Sequence, residues 1–347
     1  VFRPIFYEDE LMFWAGQKSH VIDVGGMTPG GVAPEAEEIY QEGLRIPPLK
    51  LFEKGQERKD VIDFIMANVR YPGAQRADLQ SQFAATAIAE RNLVRLIKKY
   101  SRPTVMECTE QWHNVQERLM RQQIRSWENG VYQGVSWKES VHGSGDLEVK
   151  AQVTISGDQM SIRLDSPEQV LGYCNSYYAN TISGIYLGIL LFTLLKPPYN
   201  EGLFRSITTD CGPPGTMVNA LVPAACSKAT GPPFQVVVDA VRHALRQAVP
   251  YDCLHAGWSR SWWNQLSGVS PRDGKHYSSI QTSACLGGAG ALTGMDGPSC
   301  LGTQTCLGGL KGVDKERIEY EYPIRVYKDE LGIDSGCAGQ WRGGLAL

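Results

Sequence analysis

Several enzyme signatures are missing from this chain, and each absence removes a class of function. There is no G-x-x-x-x-G-K-[ST] loop and no Rossmann fingerprint after a strand, which excludes a Walker-type or dinucleotide site built by this chain alone. There is no G-x-S-x-G elbow, so a Ser-His-Asp hydrolase is unsupported. Long blocks of Lys and Arg are absent and the formal net charge is -3, which leaves no phosphate-binding stripe and argues against a nucleic-acid partner. No C-x-x-C pair occurs among nine cysteines, an odd total that fits reduced thiols in a cytoplasmic protein. Nor does a basic stretch followed by an apolar one open the chain, and no internal repeat emerges. The most apolar segment, 180–195, is short of a membrane span and holds two glycines, so it predicts a buried helix.

What is present predicts an α+β fold with a helical front layer and an antiparallel or mixed sheet. Val1 to Tyr7 and Leu11 to Ala15 flank an acidic turn as two strands of a hairpin would. A short helix is expected over 34–43, between Pro34 and Gly43. Apolar residues recur at helical spacing over 60–69 and 78–100, and a further helix is expected over 104–127. Alternation over 147–155, a Gly157-Asp158 turn and Met160 to Leu164 predict a hairpin. Segment 235–248 reads as an amphipathic helix, and 277–284 and 318–326 as strands around the glycine-rich stretch 285–309. The expected division is 1–130, carrying the first hairpin, a glycine loop and helices, and 131–347, an α+β region. A start within a strand and an open Gly343-Gly-Leu-Ala-Leu347 end predict that the chain continues on both sides.

One cluster suggests metal chemistry. His20 and Asp23 sit where a predicted strand runs into the loop Gly25-Gly-Met-Thr-Pro-Gly-Gly31, and an imidazole with a carboxylate suits Zn2+ or Mn2+. The same spacing suits a plain alternative, in which His20 caps the strand and Asp23 bonds the amides of the glycine turn. Of the other histidines, His255 lies in Cys253-Leu-His-Ala-Gly-Trp258 with Trp262 and Trp263 close by, a stretch able to line a pocket or simply to pack. Cys226 stands near Lys228, and burial is the default for a cysteine.

Read together, His20 to Gly31 and Glu38 to Pro48 resemble the hydantoinase B / 5-oxoprolinase family. The resemblance continues through Arg70 to Ala85, with Asp78-Leu-Gln-Ser-Gln82, and through Tyr100 at the end of the following helix. It extends to Pro214-Gly-Thr-Met-Val-Asn-Ala-Leu-Val-Pro-Ala224 and Asp334-Ser-Gly-Cys-Ala-Gly-Gln-Trp-Arg-Gly-Gly-Leu345, nearly the whole chain. Three departures stand out: Val21 where many members carry a second histidine, Ala77 for glycine before Asp78, and Cys337 for glycine.

The resemblance implies a catalytic subunit of an ATP-dependent cyclic-amide hydrolase or ketone carboxylase. It would work in a hetero-oligomer beside a hydantoinase A-type subunit that binds ATP and phosphorylates a small lactam or carbonyl substrate, with bicarbonate as co-substrate in the carboxylase case. It implies a divalent metal held by His20 and Asp23 together with an upstream H-x-x-D segment that this sequence lacks. Arg45, Asn219 and His255 are the expected substrate or anion contacts. A non-catalytic paralogue within such a complex is the competing expectation.

Overall fold

The computed structural model describes residues 1–139, 145–249, 264–281, 286–292, 294–302 and 313–346. It opens on an antiparallel hairpin of β1 (Phe2–Tyr7) and β2 (Glu10–Gly16), whose turn residues Glu8 and Asp9 both take positive φ. The segment after it is irregular apart from the single turn α1 (Ile39–Glu42), so the helix expected from Pro34 contracts to its last third. A two-residue ribbon of β3 (Phe52–Glu53) and β4 (Gln56–Glu57) leads into α2 (Lys59–Ala67).

Two long helices follow. α3 (Pro72–Tyr100) begins on a proline, which fits the first turn of a helix because the missing N–H there has no intrahelical partner. It buries Leu79 and Phe83 against Ile62 of α2, with the rings of Phe52 and Phe83 meeting edge to face at 4.8 Å. α4 (Arg102–Arg125) turns Met120 and Ile124 into the main core.

That core is built on a four-stranded sheet of order β5 (Gly130–Glu139), β6 (Asp146–Ser156), β7 (Gln159–Asp165) and β8 (Ile207–Asp210). The first three strands are antiparallel and β8 joins β7 in parallel. Leu147, Val149, Ala151, Val153 and Ile155 of β6 are all buried while Glu148, Lys150 and Gln152 face outward, the period-two pattern of a sheet covered on one face. The cover is α5 (Tyr178–Leu190) and α6 (Pro232–Leu245), whose Ile185, Ile189, Val237 and Val241 are fully buried. Close approach of α6 to the sheet depends on Gly134, where a Cβ would overlap the Ala240 carbonyl oxygen.

The predicted hairpin over 147–164 is present, and the buried helix ends at Leu190 rather than at residue 195. β9 (Asn264–Val269) and β10 (His276–Gln281) pair antiparallel, the second taking up the start of the strand expected from Tyr277. The strand expected over 318–326 is instead part of a helix, α7 (Lys315–Glu321), after which the chain is irregular. Glu-Arg-Ile-Glu-Tyr-Glu alternates and so reads as a strand. The Asp314 side chain accepts from Arg317 N, and Arg317 pairs with Glu321 one turn on, which closes a helix instead.

Two loops connect these layers to the front of the molecule. The fully buried Asn175 accepts from Val170 N and donates to the carbonyls of Val170, Gly172 and Ala225. Thr181 Oγ1 donates to Val218 O at 2.6 Å. The loop entering α5 and the loop entering α6 are thereby fastened to each other, and on them rests the glycine-loop region.

Candidate functional site

Asp23 is the centre of that region, and its side chain is wholly buried. Its Oδ1 accepts from Gly30 N at 3.0 Å and from the Arg70 guanidinium at 3.0 Å; its Oδ2 accepts from Gly25 N at 3.2 Å and Arg70 N at 2.8 Å. Arg70 also donates to Gly26 O at 2.5 Å, so one carboxylate and one guanidinium close the glycine loop from both sides. Burial alone would raise the Asp23 carboxyl; the Arg70 and Gly30 amides and the Arg70 charge outweigh it and hold the group below the ordinary range. Gly25 has φ +78°, and a Cβ there would overlap Asn68 O, so glycine is required on both counts.

The loop is held in turn by the segment around α1. Met27 N donates to Gln41 O and Leu44 N to Val24 O, antiparallel pairing that lays residues 24–27 beside 41–44. Glu42, buried, accepts from Cys226 N at 2.8 Å and Ser227 N at 2.5 Å and so fixes the loop leading to α6 from below. Burial first, then the neighbouring Glu42 carboxylate, pushes the Cys226 thiol up to about 12. At neutral pH it is therefore a protonated thiol rather than a nucleophile. Iodoacetamide at pH 8 is expected to label the exposed Cys108 and Cys337 well before Cys226, as peptide mass spectrometry would show.

A cleft of about 660 Å³ opens where these segments meet, lined by Tyr40, Leu44, Arg45, Ile46, Pro47 and Asn68 together with the backbone of Gly25 and Gly43. Arg45 is exposed and stacks its guanidinium over the Tyr40 ring at 5.2 Å. Among the described residues it makes no ion pair with a carboxylate, so its five N–H donors remain available to an anion. Leu44, Ile46 and Pro47 give the same cleft an apolar wall.

The sequence-predicted residues thus part company. Arg45 lies in the cleft. Asn219 does not line it; its Nδ2 donates to Gly212 O at 2.8 Å and braces the 212–219 turn. His255 lies outside the described residues, as do Trp258, Trp262 and Trp263. His20 is exposed. Asp23 does not fit as a metal ligand: four donors occupy its two oxygens, one of them a cation at 3.0 Å, which is the arrangement of the glycine-turn alternative. Among the described residues no group of three or more His, Cys, Asp and Glu converges to hold an ion. Nothing in the local sequence marks Tyr40, Glu42, Asn68 and Arg70 as site residues, because what links them is contact between segments distant in the chain.

A family model described as hydantoinase B/oxoprolinase matches residues 1–347. The beta chain of the caprolactamase of Pseudomonas jessenii is 41% identical over 346 residues, 99% of this chain and 59% of its own length. The B component of a putative D-/L-hydantoinase from a Pseudomonas species is 30% identical over 99% of this chain and 59% of its own length. This chain therefore spans about three fifths of these relatives. The crystal structure of the ATP-dependent caprolactamase from Pseudomonas jessenii matches with a TM-score of 0.93 at 40% identity, over 99% of this chain and 60% of that one. A nucleotide-free acetone carboxylase structure matches with a TM-score of 0.87 at 20% identity, over 99% of this chain and 47% of that one, a likeness of fold.

Proposed function

The chain belongs to the hydantoinase B/oxoprolinase family, and from that premise we propose that it forms the substrate-binding part of an ATP-dependent lactam hydrolase. The observation that carries this reading is the cleft, where an arginine without a carboxylate partner among the described residues faces an apolar wall. A lactam activated by phosphorylation has these two halves, an anionic group and a ring of methylenes. Arg45 would hold the anion, stacked in place by Tyr40, while Leu44, Ile46 and Pro47 receive the ring and exclude water from its far side. The Asp23–Arg70 lock keeps the backbone of Gly25 at the cleft wall in one conformation.

In this reading ATP is held by an A-type subunit, which phosphorylates the amide oxygen. Water then attacks the activated carbon and the ring C–N bond breaks to leave an acyl phosphate, which a second water cleaves to the amino acid and phosphate. His20 remains an imidazole open to a divalent ion, Zn2+ or Mn2+, with its other ligands drawn from outside the described residues. Hydrolysis is preferred to ketone carboxylation because the relative at 41% identity is named as part of a caprolactamase, whereas an acetophenone carboxylase delta subunit from Aromatoleum aromaticum is 24% identical.

The test is a substrate panel. The protein containing this chain, co-expressed with its A-type neighbour, is given ATP with a lactam, a hydantoin, 5-oxoproline, or a ketone plus bicarbonate. Ring-opened amino acid formed from the lactam supports the proposal. Turnover of the ketone alone, dependent on bicarbonate, would replace it with the carboxylase, and turnover of none would favour a non-catalytic paralogue.

A further inference from the structure

Below the loops that support the cleft, a lysine and a cysteine meet in the interior. Lys138 stands in the inward row of β5 with Gly134 and Ser136, and at 8% exposure it is buried, as is Cys174 at 1%. Lys138 Nζ lies 3.0 Å from Cys174 Sγ. Among the described residues Lys138 makes no ion pair with a carboxylate, which is unusual for an amine taken out of water. A second amine interacts electrostatically with the same residue: burial lowers the Lys228 ammonium's pKa, and its interaction with Cys174 opposes that shift. None of these groups has a part in the lactam chemistry above.

We propose that Lys138 and Cys174 are an oxidative crosslinking site, joining through a single oxygen atom as an N–O–S bridge when dioxygen reaches them. The amine loses one hydrogen and the thiol loses its own, an N–O and an O–S bond form, and the second oxygen atom leaves as water: R-NH2 + R'-SH + O2 gives R-NH-O-S-R' + H2O. Nitrogen and sulfur are each oxidised by two electrons and dioxygen takes up all four. The separation selects this product. At 3.0 Å the two atoms are too far apart for a direct S–N bond without moving a close-packed interior, whereas one inserted oxygen spans the gap nearly as it stands. Burial also hinders water and bulky thiols from diverting the sulfur to the irreversible acids.

The bridge would act on the site through the backbone. Cys174 precedes Asn175, which donates to Ala225 O, and Ala225 precedes the Cys226 amide bound by Glu42. Lys228 N donates to Tyr173 O. Oxidation therefore ties β5 to the loops beneath the cleft, and a dithiol reductant releases them.

The experiment uses the purified complex, reduced with dithiothreitol and then held in air-saturated buffer, digested and read by mass spectrometry. The expected product is the peptide containing Lys138 joined to the peptide containing Cys174, heavier than their sum by one oxygen and lighter by two hydrogens. It should be lost on renewed reduction and be absent from Lys138→Met. Recovery of Cys174 only as free thiol or sulfinic acid overturns the proposal, and a joined pair lacking the oxygen overturns the bridge. The readout is a mass, so it stands or falls independently of the lactam assay.

Discussion

Asp23→Ala is expected to lower stability by about 3–5 kcal/mol, the range for removing one partner of a buried ion pair. The substitution orphans the amides of Gly25, Gly30 and Arg70 and leaves the Arg70 guanidinium without its carboxylate. For a chain of this size the loss corresponds to a fall in melting temperature on the order of 10 °C, measurable by calorimetry. Asp23→Asn keeps the shape and one acceptor oxygen, so its loss should be smaller. The pH dependence separates charge from shape. A carboxyl held low in the folded state gives stability that is complete above its unfolded value of about 3.9 and is lost as pH falls toward the folded value. The wild type should therefore show an acid limb below about pH 4 that is flatter in Asp23→Asn. Equal melting temperatures at pH 7 for wild type and Asp23→Ala would contradict the role given to the lock.

Arg45→Met carries the largest expected effect on activity. A hydrogen bond to a charged group contributes about 1.5–3 kcal/mol, which corresponds to a kcat roughly 10- to 100-fold lower, because the anion exists only once the lactam has been phosphorylated. The lactam as supplied is neutral and carries no group for Arg45 to hold, so its KM should change little. Arg45→Lys should recover part of the loss, because it keeps the charge but not the planar fork that stacks on Tyr40. Arg45 is exposed and makes no ion pair among the described residues, so the melting temperature should not move. A raised KM at constant kcat would place Arg45 on the neutral lactam instead.

The sequence made the fold legible where a row of side chains carried one message. β6 and β7 alternate large apolar residues with charged ones, and α3 repeats apolar residues at helical spacing, so both were readable. β5 was not, because its signal is inverted: Gly134, Ser136 and Lys138 face inward while Val131 and Trp137 are exposed. Its inward row is small because α6 lies against it, and one of its members is the lysine that meets Cys174. α7 failed for the opposite reason, a short alternating run whose helical cap only the Asp314 side chain reveals.

The site was half legible. His20, Asp23 and the glycine loop could be read from local spacing, and Arg45 from the resemblance. What Asp23 does could not be decided there, since its partner Arg70 is 47 positions away. Glu42 meets Cys226 and Ser227 across 184 and 185 positions, and no period within one element reports such a contact. The same carboxylate that suggests a metal ligand beside a histidine becomes an anchor once a guanidinium is found against it.

The central claim is that the chain binds an activated lactam while an A-type subunit supplies ATP. It is tested most directly by reconstitution: the A-type subunit is assayed for ring-opened product and phosphate from lactam and ATP, alone and after adding the protein containing this chain. The account predicts amino acid and phosphate in equal amounts only when both are present. Amino acid formed at the same rate by the A-type subunit alone would contradict it.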